Sequence, residues 1–134
     1  MSYGSFPSTR PRRNRIDAFT RRLVAETRLS VDDLIWPIFV CEGKNIRTRV
    51  ASMPGIERVS VDLLDAHLAE AVALGVPAVA IFPITPSEVR DPVGTESGNP
   101  NNLMCRAARR IKEVYPELGI IGDVALDPYT DHGH

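Results

Sequence analysis

Lysine is scarce in this chain of 134 residues: of 16 Lys and Arg residues only Lys44 and Lys112 are lysine. Chemistry that needs an amine nucleophile therefore has two candidates. Cysteine is limited to Cys41 and Cys105, far apart and outside any CxxC pattern. That excludes a disulfide framework and a cysteine-only zinc motif, and the pair reads as free thiols in or beside apolar segments. The longest apolar run, 76–84 (VPAVAIFPI), carries two prolines and falls well short of the roughly 18 residues that a membrane span requires. Residues 1–30 contain no apolar stretch of the kind a secretory leader needs, and Pro7 and Pro11 oppose the amphipathic helix of a transit peptide. The expectation is a cytoplasmic protein with no membrane partner. Neither GxGxxG nor a P-loop follows any apolar run, which argues against nucleotide binding.

What is present suits one globular domain: 43% apolar and 25% charged residues, both ordinary for a soluble fold. The net charge of −1 conceals an asymmetry. Residues 1–30 hold seven Arg against Asp17 and Glu26, whereas residues 31–134 are acidic. Residues 1–15, rich in Ser, Pro, Gly and Arg, read as an extended basic arm. Arg10, Arg12, Arg13 and Arg15 could neutralise phosphates, but aromatic rings are not interleaved with them. Docking of the arm on an acidic protein surface is the stronger reading, and no nucleic-acid partner is expected.

Beyond the arm, Ile16, Phe19 and Leu23 recur at helical spacing and predict a helix over 17–27. Residues 34–40 (LIWPIFV), 78–84 (AVAIFPI) and 119–126 (GIIGDVAL) are apolar runs of strand length. They lack polar alternation, which predicts a parallel sheet covered on both faces. Residues 41–59 read as a loop with a small hairpin. Ser60 is placed to cap a helix carrying Leu64, Leu68 and Val72 and ended by Gly75. Asn99, with Pro100 at the first helical position, is placed to cap another carrying Leu103, Ala107 and Ile111, which Pro116 stops. Strand and helix alternate as in βαβαβ, with right-handed crossovers. Two folds are open to this pattern, a doubly wound sheet and a (β/α)8 barrel, and both place their sites at strand C-terminal ends.

The densest cluster of reactive side chains lies there, at the third run: Asp123, Asp127, Asp131, His132 and His134. Asp123 falls within an apolar strand in this reading, where a carboxylate is costly unless it is paired, protonated or bound to a cation. Alternation puts it on one face with Ala125 and Asp127. The carboxylates and imidazoles favour a hard divalent cation over a structural zinc site.

The segments RPRRNR (10–15), LIWPIFV (34–40), SMPGIERVS (52–60), GVPAVAIFP (75–83), NPNNLMCRAARRIK (99–112) and IIGDVALDPYTDHGH (120–134) closely resemble the porphobilinogen synthase, or delta-aminolevulinic acid dehydratase, family. The resemblance implies a (β/α)8 TIM barrel, of which 16–134 would be the first three strands with their helices, preceded by the basic arm, 1–15. It implies a lyase that condenses two molecules of 5-aminolevulinate to porphobilinogen in tetrapyrrole (haem) biosynthesis. The family's arm wraps a neighbouring subunit, commonly in a homo-octamer, which makes Arg10, Arg12 and Arg13 candidate interface residues.

From their place at the end of the third apolar run, Asp123 and Asp127 are the candidate catalytic residues, and Asp127 and Asp131 the candidate metal ligands. In the zinc-binding branch of the family three cysteines hold the metal. Two of those positions are here Ala125 and Asp127, and the third follows His134. The resemblance is therefore to the aspartate-rich, zinc-free branch, with magnesium as an activator. The family's two Schiff-base lysines lie later in the barrel and have no counterpart among these residues. The expectation is an N-terminal portion that is inactive alone and whose substrate contacts lie downstream. The alternative is an assembly or regulatory module that binds full-length subunits through its arm.

Overall fold

The structure is a computed structural model that describes residues 4–133. The chain divides into two compact units, Met1–Ser30 and Val31–His134. In the first, a 3-10 turn at Arg13–Arg15 precedes a helix, α1 (Ala18–Leu23), and neither contains a buried residue. The helix is shorter than its apolar spacing predicts. Its stripe finds no core, with Phe19 64% and Leu23 79% exposed, and so short a helix has little stability of its own.

The second unit holds a five-stranded sheet: β1 (Ile35–Cys41), β2 (Arg47–Arg49), β3 (Glu57–Ser60), β4 (Ala78–Ile84) and β5 (Gly119–Gly122), in the order β2-β3-β1-β4-β5. The predicted run of three parallel strands is β1-β4-β5. It pairs from Ile35↔Ala78 to Cys41↔Ile84, and from Ala78↔Gly119 to Ile81↔Gly122. The hairpin expected within 41–59 is the antiparallel pair β2–β3, but β3 also joins β1 in parallel at Phe39↔Arg58.

β5 stops four residues earlier than the apolar run 119–126 predicts. The Gly119 N–H donates to the Pro77 carbonyl at 2.8 Å, so Pro77, Val79, Ile81 and Pro83 turn their backbone polar groups toward β5. Pro83 has no N–H to give, and the ladder ends after Ile81.

Two helices connect the parallel strands: α2 (Leu64–Ala73) and α3 (Leu103–Val114). Ser60 does not cap α2. Its hydroxyl accepts the Ile46 N–H at 2.9 Å, and a 3-10 turn, Val61–Leu63, intervenes. At the other end Gly75 adopts φ +83°. Gly75 N–H donates to Val72 O and Val76 N–H to Ala71 O, both at 3.0 Å, which closes the helix as a Schellman turn.

α3 is capped by Asn102, whose Oδ1 accepts the Cys105 N–H at 2.8 Å. Asn99, the residue predicted for this role, builds the turn before the helix instead: its Oδ1 accepts the Asn101 N–H, and its Nδ2 donates to the Glu96 carboxylate.

Leu64 and Leu68 of α2 and Leu103, Ala107 and Ile111 of α3 pack with Ile38, Val40, Val79 and Ile81 in one core. Burial of each large side chain contributes about 1.5–3 kcal/mol. Both oxygens of Asp65 on α2 accept from the Arg110 guanidinium on α3, and the Tyr115 hydroxyl donates to the Asp65 carbonyl at 2.8 Å.

Both helices therefore cover the same face while β1, β4 and β5 advance in one direction across the sheet, with β3 added on the other side of β1. That winding is shared by a barrel and by one βαβαβ half of a doubly wound sheet. The second face corrects the expectation from sequence. It is apolar but uncovered among the described residues, with Ile35 54%, Phe82 36% and Ile121 45% exposed. Absence of alternation records an apolar residue on each face, not the element that covers it.

Candidate active site at the strand C-terminal ends

β1, β4 and β5 end side by side, bringing together Glu42, the loop 85–98 and the segment 123–133. Glu42 pairs with Arg106 of α3. After β4, the Arg90 guanidinium donates twice to the Thr85 carbonyl, at 3.0 and 2.6 Å. The loop then meets the segment after β5. Asp91 N–H donates to Tyr129 O, and Asp131 N–H donates to Asp91 O, each at 3.3 Å. Oδ1 of Asp91 accepts the N–H groups of Val93 and Thr95, both at 3.0 Å. Hydrogen bonds from the Thr95 side chain and backbone hold the Asp91 carboxyl below the usual carboxylate range.

The sequence-predicted residues sit around this junction. Asp123 is the first residue past β5 and is exposed. This corrects its placement inside a strand, and the argument from a buried carboxylate no longer applies. Asp127 and Asp131 are also exposed. His132 Nε2 lies 3.2 Å from the Pro92 carbonyl oxygen, while His134 lies outside the described residues. Among the described residues no three His, Cys, Asp or Glu side chains gather closely enough to hold a metal ion. The carboxylate oxygens of Asp127 and Asp131 suit magnesium in kind, but these residues do not by themselves fit a magnesium or zinc site.

Neither lysine is placed as a nucleophile. Lys112 Nζ donates to the carbonyls of Pro116 and Leu118 at 3.0 and 2.7 Å, where the chain turns back into β5. Lys44 is exposed in the loop after β1. At the end of β1, burial pushes the Cys41 thiol's pKa up, aided by Glu42 and Asp62 against the opposing effect of Arg58. In the first unit Arg10, Arg12 and Arg13 are exposed. Arg10 folds back, its guanidinium 5.1 Å from the Phe6 ring centroid and its Nε donating to the Pro7 carbonyl at 3.1 Å.

Tyr129 and Asp91 were not among the sequence candidates. Tyr129 is 5% exposed, and burial, with Cys105 and Glu96 adding to it, raises its pKa. The available signal was DPVGT (91–95): an Asp whose side chain can bond the backbone two residues on, with a glycine to turn the chain.

The family model for delta-aminolevulinic acid dehydratase matches residues 8–134. The chain belongs to the delta-aminolevulinic acid dehydratase family. It is 52% identical over 125 residues to the dehydratase of Bradyrhizobium diazoefficiens, covering 93% of this chain and 35% of that protein. It is 48% identical over 127 residues to the dehydratase of Chlamydia pneumoniae, covering 95% and 38% respectively. The crystal structure of the Toxoplasma gondii delta-aminolevulinic acid dehydratase, in complex with the reaction product porphobilinogen, superposes with a TM-score of 0.87 at 38% identity. It covers 94% of this chain and 36% of that one. The chain thus spans little more than a third of the length of these dehydratases.

Proposed function

We propose that this chain supplies the first three parallel strands of a porphobilinogen synthase barrel and one wall of the site where two molecules of 5-aminolevulinate condense. The observation that carries the reading is the extent of the match to the product-bound dehydratase, 94% of this chain at a TM-score of 0.87. The winding of the sheet is consistent with it, because β1, β4 and β5 advance in one direction with both helices on one face, as in a barrel. So does the uncovered apolar face, which is the face that further strands would enclose.

In this reading Asp123, Asp127 and Asp131 stand at the barrel mouth. A carboxylate there holds a substrate ammonium by a charge-assisted hydrogen bond, or takes up and returns a proton as the pyrrole forms. Asp123, one residue past β5, is assigned the proton-handling role together with Asp127. The Schiff-base amines come from residues this chain does not carry, since Lys112 is engaged by carbonyls and Lys44 lies in an exposed loop. Magnesium acts as an activator whose remaining donors are supplied from elsewhere, and no step here depends on it. The arm, with Arg10, Arg12 and Arg13, docks on a second subunit. In support, Ile16, Phe19, Leu23 and Leu29 are all more than 60% exposed.

The test joins residues 1–134 in frame to the remainder of the Bradyrhizobium dehydratase. The 134-residue chain alone should form no porphobilinogen, and the chimera should form it. A chimera that folds and assembles but yields no pyrrole product would overturn the reading, as would turnover by the chain alone.

A further inference from the structure

Asp91 uses its backbone N–H and carbonyl at the junction between two loops and its Oδ1 within the turn that follows it. Its N–H donates to Tyr129 O, and its carbonyl accepts from both Asp131 and Gly94 at 3.3 Å. Its Oδ1 accepts from Val93 and Thr95. The turn it closes is seated against the acidic segment. Gly94 is buried at φ +67°, and a Cβ built there would lie 3.6 Å from the side chains of both Thr130 and Tyr129. Tyr129 and Thr130, the residues that receive the turn, are 5% and 4% exposed. The segment 127–131 lies beyond the last strand: β5 ends at Gly122, residues 123–125 form no regular structure, and the Tyr129 and Thr130 N–H groups close a local turn on the Leu126 carbonyl. A single parallel bridge, Asp91↔Thr130, ties it to the rest of the sheet end.

We propose that Asp91 is a positioning residue for the acidic segment, fixing Asp127 and Asp131 at the mouth of the site through the backbone of Tyr129–Asp131. The proposal rests on the functional reading above for what those carboxylates do, but not for how they are held. Asp91 touches no reacting atom in this account. Its side chain acts as an acceptor that closes the turn 91–95, and the closed turn presents its backbone to Tyr129 and Asp131. The acceptor, not the charge, is the working part.

Amide hydrogen exchange on the 134-residue chain reads the positioning directly. Asp91→Ala should speed exchange at the Asp131 amide by at least about tenfold, the scale expected when local hydrogen bonds that close a loop are lost. The core amides of Ile38 and Ile81 should keep their protection. Asp91→Asn, which retains Oδ1, should exchange as the parent does. In the chimera, Asp91→Ala should lower kcat more than it raises KM, and Asn should restore it. Unchanged protection of Asp131 in the Ala variant would overturn the proposal. So would an Asn variant as damaging as Ala, because the charge would then be what matters. If Ala unfolds the chain, core protection falls too and the Asn variant decides on the same terms. An inactive parent chimera with the exchange pattern intact would overturn the functional reading and leave the positioning role standing.

Discussion

Phe39 of β1 and Phe82 of β4 lie beside each other with ring centroids 5.7 Å apart and planes tilted by 32°. They pair in register on the face of the sheet that carries no helix. The residues just before them along each strand, Ile38 and Ile81, point the other way into the core at 1% and 0% exposure. The two faces thus belong to different stages of assembly, and mutations on them should behave differently.

In the 134-residue chain, Ile81→Ala should cost about 2–5 kcal/mol, as for other fully buried aliphatic side chains. Phe82→Ser should cost about 1 kcal/mol or less, as at a surface site, and should reduce binding of a hydrophobic dye. In the chimera, where further strands close over that face, Phe82→Ser should become as costly as Ile81→Ala. Denaturant unfolding of the four proteins checks this, and equal costs for Phe82→Ser in both settings would contradict it.

His67 gives a pH dependence whose sign is fixed by its surroundings. Its ring packs on Trp36 with centroids 5.0 Å apart. Burial holds its pKa below that of a free imidazole, helped by the Arg47 guanidinium and opposed by Glu57. In the folded chain the ring resists protonation, whereas in the unfolded chain it protonates from about pH 6.5 downward. The unfolded state therefore binds more protons in that window. The stability associated with a neutral His67 is present above pH 6.5 and is lost as the pH falls toward the folded-state pKa. His67→Gln should flatten this part of the stability profile. Trp36 is the single tryptophan, so its fluorescence reports unfolding and the protonation of its neighbour together. A profile equally steep in the Gln variant would refute the assignment.

Asp123 is exposed one residue beyond β5, so Asp123→Asn should leave the melting temperature of the chimera unchanged. Turnover should nevertheless fall by at least about a hundredfold, within the range for loss of a general acid–base group. Asp131→Asn should be milder. Thermal denaturation and steady-state kinetics on the same preparations separate the cases. A large drop in melting temperature with normal turnover would assign Asp123 to the scaffold.

Zinc should be dispensable for the chimera. Ala125 offers no donor and Asp127 a hard oxygen at two of the positions where the zinc-binding branch has thiolates, and oxygen ligands favour magnesium. A zinc-selective chelator should leave porphobilinogen formation intact. Loss of activity that zinc restores and magnesium does not would overturn this expectation.

The sequence was most informative where side chains alone decide the outcome. Ala78–Ile84 is the span its apolar run predicts, and Leu103, Ala107 and Ile111 are the buried positions that helical spacing selects. It was less informative where backbone partners decide. The end of β5 depends on the missing N–H of Pro83 in a neighbouring strand, and the cap of α3 depends on which of two asparagines the preceding turn consumes. The acidic cluster at 123–131 was visible as composition. The bridge from Asp91 that holds part of it was not, because it joins residues 39 positions apart through backbone groups that every residue possesses.

The order of the sheet also bears on synthesis. Every strand after β2 docks on a strand already made, β3 and β4 on β1 and β5 on β4, so the structure can be laid down from the N-terminus as the chain leaves the ribosome. Helices α2 and α3 seal one side, while Ile35, Phe82 and Ile121 stay wet on the other. An emerging polypeptide with this face open is a target for chaperones that bind apolar surface, and pausing of translation after β5 would prolong the interval in which two nascent chains can stick together.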